Sequence, residues 1–287
     1  MTDLKLVIMA AGLGSRFGGL KQIHELGPSG EFLMDYAIYD AYQAGVKEVC
    51  LVVQSHFKEQ IEIVINSRWE SYKDLTFSFV CQDVKDLPSE FNFPQREKPW
   101  GTTHVLYALR NAIKGPFLIM NADDFYGRNA IQSLASSMMS KKNEHAFVAY
   151  PLKETLSPHG SVTRGVCEIE NGFLKNIDEV KEIYSNDNRG GFVSMNLWGF
   201  SPEVFTLINE QFKKFLKEKG DDLKAEYQIP QVVNDLLQES KIKISSLETD
   251  SPWFGVTYKE DEGTVRNKIA KLVSDGVYPE SLFKVDM

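Results

Sequence analysis

The chain has 287 residues, of which 25% are charged and 43% hydrophobic, with a formal net charge of −8. That composition fits a globular protein able to bury a substantial core, and its acidic balance offers no basic surface to nucleic acid or an anionic membrane. Three widely spaced cysteines, Cys50, Cys81 and Cys167, read as small buried hydrophobes in a reducing cytoplasm, not as a metal motif or disulfide framework.

No apolar run reaches membrane-spanning length. The first strand, residues 5–9, starts so early that no signal peptide is expected before it. It opens the segment LVIMAAGLGSRFGGLKQ, Leu6 to Gln22. Glycines at Gly12, Gly14, Gly18 and Gly19 leave no side chain to obstruct a ligand, so backbone N–H groups can approach phosphate oxygens. Arg16 and Lys21 add a planar fork and a mobile point charge. The turn reads as a nucleoside triphosphate site. It is not a dinucleotide fingerprint, because Phe17 stands in place of the last glycine and the next strand ends in Gln54 instead of an acid. It is not a Walker P-loop either, because Leu20 stands where the lysine belongs.

Strand-like runs at 49–54, 76–82 and 117–121 alternate with helix-like runs at 34–44, 58–66 and 103–113. Such alternation predicts an α/β fold, with a Rossmann-like, mostly parallel central sheet and helices on both faces. Residues 83–100, with Pro88, Pro94 and Pro99, read as a long loop of the kind that often carries function. Gln82 before it has an amide able to pair with a nucleobase edge or to satisfy a neighbouring loop. In PWGTTHVLYALRNAI, Gly101 lets a flat ring approach, and Thr102 or Thr103 can cap the helix that follows. His104 reads as packing.

The strand in PFLIMNADDFYG ends in Asp123 and Asp124. Adjacent acids at a strand end can place a divalent cation against substrate phosphates, or cap the next helix. Beyond it, strands are expected at 146–151, 164–170, 173–177, 192–200, 242–247 and 253–257, with helices at 201–217, 226–239 and 260–274. These predict a β-rich layer that completes the same sheet. One domain over 1–287 is therefore expected, with a nucleotide-binding half (1–130), a second half (131–259) and a closing helix and tail (260–287).

The glycine turn, Gln82 with PWGTTHVLYA, and the strand ending NADD together resemble the sugar-1-phosphate nucleotidyltransferases, or NDP-sugar pyrophosphorylases. The resemblance implies Mg2+ as cofactor and attack by a sugar 1-phosphate on the α-phosphorus of an NTP, expelling pyrophosphate. It places the triphosphate on Gly12, Gly14 and Ser15, with Arg16 and Lys21 on the phosphates and Mg2+ on Asp123. Base contacts fall on Gln82 and Gly101, with Ala10, Ala11 and Thr102 as further nucleotide contacts; the β-rich layer over 131–259 becomes the acceptor-binding half, and acceptor contacts fall on Asn121, Glu179, Lys181 and Asn196. It also implies a possible homo-oligomer, as relatives often assemble. One departure stands out: Gly255 or Val256 occupies the place of a second metal-binding aspartate, so Asp123 acts with substrate phosphates alone, another acid such as Asp250 or Asp261 substitutes, or the second half has lost catalysis. Two alternatives stay open, a nucleotidyltransferase for phosphocholine or a polyol phosphate, and a non-catalytic nucleotide-binding regulator.

Overall fold

The computed structural model describes residues 4–12, 23–141, 144–256, 258 and 260–284. Strand β1 (Lys5–Met9) is apolar on both faces: Leu6 and Ile8 enter one core, Val7 and Met9 the other. That is the pattern of a central strand covered by helices on either side. Parallel partners β2 (Glu48–Val53) and β4 (Phe117–Asn121) flank it, and β3 (Thr76–Cys81) lies outside β2.

On one face pack α1 (Leu33–Gln43), α2 (Lys58–Arg68), α4 (Arg128–Ser140) and α7 (Asp261–Ser274). On the other pack α3 (Thr102–Leu109), α5 (Val204–Lys219) and α6 (Ile229–Gln238). The alternation read from the sequence is present, with α4 as an additional helix. Its apolar stripe of Ala130, Ile131, Leu134, Ala135 and Met138 is buried.

The second half extends the same sheet. Strands β6 (His145–Pro151), β7 (Val162–Glu170), β8 (Phe173–Ile183), β9 (Phe192–Phe200) and β10 (Ile244–Glu248) complete a nine-stranded order β3-β2-β1-β4-β9-β6-β10-β8-β7. Pairing is parallel through β3, β2, β1 and β4 and again between β6 and β10; β9, β8 and β7 pair antiparallel. The expected mostly parallel sheet is thus parallel in its first half and mainly antiparallel beyond β4. A separate ribbon joins β5 (Asp124–Phe125) to β11 (Phe254–Gly255), so the strand expected over 253–257 is only two residues long.

The chain runs outward from β1 to β2 and β3, then returns to place β4 on the other side of β1. That reversal opens a crevice beyond the carboxyl ends of β1 and β4, where ligands of open α/β sheets bind.

Candidate functional site

Met9 and Asn121 are register partners at the carboxyl ends of β1 and β4, and two clefts open beside them. The first, about 410 Å³, is lined by Met9, Ala11, Gly12, Gln82, Gly101, Thr102 and Asp123 among others. The second, about 420 Å³, is lined by Asp124, Arg164, Gly165, Glu179, Asn196 and Trp253 among others. Asn121, Asp123 and Gln228 line both.

Most residues expected to touch nucleotide and described in the structure therefore share one cleft. Ala10 is the exception: it is buried in the core, with its N–H donating to Val52 O at 2.8 Å. Ala11 O accepts from Gln54 Nε2 at 2.7 Å, which ties the start of the glycine turn to β2. Gly14, Ser15, Arg16 and Lys21 lie outside the described residues. Of the residues expected to touch the acceptor, Asn121 lines both clefts and Glu179 and Asn196 line the second, whereas Lys181 is exposed on β8 and lines neither.

Asn196 has φ +62°. It sits where β9 slips register against β6, between the pairs Ala149↔Ser194 and Phe147↔Trp198. A bulge there re-aims the side chain, and asparagine tolerates the left-handed conformation better than most residues.

The acidic pair at the end of β4 divides its work. Asp124 is buried; its Oδ2 accepts from Asn121 Nδ2 at 2.7 Å and lies 3.3 Å from Tyr126 Oη. Asn121 N–H in turn donates to Tyr126 Oη at 3.0 Å. Asp123 is half-buried at the junction of the clefts. In the β5–β11 ribbon Gly255 pairs with Asp124, and the position a Gly255 Cβ would take is already filled by Asp124 Oδ1. Asp124 Oδ1 thus lies where a side chain at position 255 would extend. Asp250 is exposed and Asp261 receives Tyr258 N–H at 2.7 Å near the start of α7; neither lines the two clefts.

Mg2+ ordinarily takes one or two protein carboxylates and completes its shell with waters and substrate phosphates. Asp123 and Asp124 supply that number. Among the described residues no three His, Cys, Asp or Glu side chains gather as a metal cage. The donor set fits an ion held in large part by its substrates.

Three side chains absent from the sequence-based set complete the site. Gln228 Oε1 accepts from Thr102 N at 3.1 Å and Thr102 Oγ1 at 3.0 Å, while Thr102 Oγ1 accepts from Ile229 N at 2.8 Å. Thr102 thus spends its polar atoms on joining α3 to the start of α6. Arg164 is buried and stacks over Trp253, 4.9 Å from the ring centroid. Its guanidinium donates to Thr155 Oγ1 at 3.2 Å, to Thr163 O at 2.9 Å and to Thr155 O. Burial lowers its pKa to about 10, opposed by Asp124, so it remains a cation at neutral pH. Trp253 itself lines the second cleft. For Gln228 the sequence did hold a signal, a helix start with Pro230 in its first turn; its contact with Thr102 spans 126 residues and left none.

The comparisons with known proteins agree with this fold. The bifunctional protein GlmU of Staphylococcus epidermidis is 23% identical over 238 residues, covering 81% of this chain and 45% of that protein. The chain therefore spans about half the length of the curated relatives it matches. Among solved structures, the inositol-1-phosphate CTP transferase from T. maritima superposes with a TM-score of 0.65 at 13% identity, covering 94% of this chain and 96% of that one. A UDP-glucose pyrophosphorylase complexed with UDP-glucose gives 0.61 at 17% identity, covering 93% and 98%. The family profile described as nucleotidyl transferase matches residues 5–264, from β1 into α7, and the chain belongs to that family.

Proposed function

We propose that the protein transfers a nucleotidyl group from an NTP to a sugar 1-phosphate, releasing pyrophosphate and forming an NDP-sugar. The observation that carries this reading is the pair of adjoining clefts that share Asn121, Asp123 and Gln228. Two substrates placed in them meet over Asp123. The base lies against Gln82 and Gly101, and the acceptor lies between Glu179, Asn196 and Trp253, with the Arg164 cation at the cleft wall. Arg16 and Lys21 take the triphosphate from the glycine turn.

An acceptor phosphate oxygen attacks the α-phosphorus and pyrophosphate departs, so no protein nucleophile is required. Catalysis is then positioning and charge stabilisation. Mg2+, held through Asp123 with Asp124 beside it, would supply further neutralisation of phosphate charge. The UDP-glucose pyrophosphorylase solved with UDP-glucose supports the sugar 1-phosphate reading. A phosphorylated polyol is the second reading, supported by the T. maritima inositol-1-phosphate CTP transferase.

The test is product formation by the purified protein and by Arg16→Ala and Lys21→Ala, followed by chromatography of the nucleotide products. Each substitution is expected to lower the rate by roughly 10²- to 10³-fold, as loss of a preorganised charge contact does. Near-normal turnover in both variants overturns the assignment of the turn to the triphosphate.

A further inference from the structure

Gln82 is almost wholly buried yet lines the nucleotide cleft. Its Nε2 lies 3.1 Å from Gly101 O and 3.4 Å from His104 Nδ1. The first contact fixes the orientation of the amide, because the reverse rotamer would set two carbonyl oxygens against each other. The second depends on the histidine. His104 is sealed from solvent and packs against the rings of Tyr107 and Phe212, and burial lowers its pKa, so the ring is neutral. A neutral imidazole has one N–H. His104 Nε2 lies 2.9 Å from Asp86 O, a carbonyl that can only accept, so the proton sits on Nε2 and Nδ1 is a lone pair. Asp86 is itself anchored, its two carboxylate oxygens 2.8 and 2.7 Å from the Arg110 guanidinium.

Both N–H bonds of the Gln82 amide are thus spent, one on Gly101 O and one on His104 Nδ1. The remaining polar atom of this cleft-lining side chain is Oε1. Resting on the nucleotide reading above, we propose that His104 is the positioning residue that holds the Gln82 amide with its carbonyl oxygen toward the base. The nucleobase is then read through one of its own N–H groups. The chain from Arg110 through Asp86 and His104 to Gln82 acts on base choice without touching the base.

The test measures dissociation constants for UTP, dTTP, CTP, GTP and ATP with wild type, His104→Phe, Gln82→Ala and the double variant, each checked for folding by circular dichroism. His104→Phe keeps a buried ring but removes the acceptor. The tightest nucleotide is expected to lose five- to tenfold of its preference over the next, as losing one oriented hydrogen bond does. Gln82→Ala is expected to lose at least as much, and the double variant no more than Gln82→Ala, because both remove one coupled contact. In parallel, ¹⁵N spectra of wild-type histidines at pH 7 should show His104 as the neutral Nε2–H tautomer, a readout that needs no variant. Preference unchanged in His104→Phe, effects that add in the double variant, or an Nδ1–H tautomer or imidazolium at His104 overturns the inference alone. A wild type that binds none of the five nucleotides overturns the nucleotide reading as well.

Discussion

Gly101 shows how one residue can be identified correctly for an incomplete reason. The sequence suggests that a missing side chain makes room for a flat ring. In the structure Gly101 has φ +89°, and a Cβ there would lie 2.5 to 2.9 Å from the backbone of Tyr227. The glycine is needed for the segment leading into α6 to lie against the start of α3, where Tyr227 N–H donates to Trp100 O and Tyr227 O accepts from Thr103 N, both at 2.9 Å. Gly101→Ala is therefore expected to destabilise the protein by at least about 2 kcal/mol, from left-handed backbone strain and overpacking together. Urea unfolding measures this, and a midpoint equal to wild type would contradict it. Gln82, Asn121, Asp123, Glu179 and Asn196 all line the two clefts; Gln82 and Asp123 stood out by their place at strand ends, whereas Asn121, Glu179 and Asn196 came from the family resemblance. Arg164 and Trp253 were not legible, because a buried cation stacked on an indole is a product of folding. That Asp124 fills the place of a Gly255 side chain likewise needs the β5–β11 pairing to be seen.

At the scale of elements, α1 carries two buried acids and could be located from its apolar run alone. Asp35 receives Phe32 N–H at 2.8 Å and Trp69 Nε1–H at 3.1 Å, and pairs with Arg68 at 2.8 Å, so one carboxylate caps α1 and fastens α2 to it. Asp40 receives Tyr278 Oη–H at 2.6 Å and Arg128 Nε–H at 3.0 Å, which joins α1 to α4 and to the segment after α7. Burial raises the Asp40 pKa to about 6, against the opposing hydrogen bonds of Tyr278 and Arg128. Because the folded value lies above the unfolded one, the folded state binds the extra proton. The contribution of this group is fully present below the unfolded carboxylate pKa and is lost as pH rises through about 6. A displacement of this size is worth on the order of 3 kcal/mol. Wild type is thus expected to gain stability relative to Asp40→Asn as pH falls from 7 to 4, measured by urea unfolding across that range. A difference between the two proteins that does not change with pH would contradict this. Helix α4 escaped the sequence reading because its four serines dilute the apolar stripe. The full length of β8 escaped because its last four residues, VKEI, break alternation at the Glu182 bulge, φ +55°.

At the scale of the molecule, the first half was legible because β1 to β4 are joined by local crossovers, each with its own apolar period. The second half was legible as strands but not as an order. Strand β9 inserts between β4 and β6, so Phe117 pairs with Phe200, and no local pattern encodes partners so far apart in the chain. That insertion sets the two clefts side by side and brings Asn196 into the same cleft as Asn121, Asp123 and Asp124. Among the described residues no helix is long and apolar enough to cross a membrane, and the three cysteines are unpaired. The central claim, two substrates meeting over Asp123, is tested most directly by pyrophosphate release with Mg2+. The assay pairs UTP, dTTP, CTP, GTP and ATP with a panel of sugar 1-phosphates, inositol 1-phosphate and phosphocholine, with Asp123→Ala as control. Release that requires one NTP together with one acceptor, and that falls by at least roughly 10²-fold in the control, is the predicted result. Release independent of any acceptor, equal release in Asp123→Ala, or silence from a protein that still binds nucleotide would contradict the account.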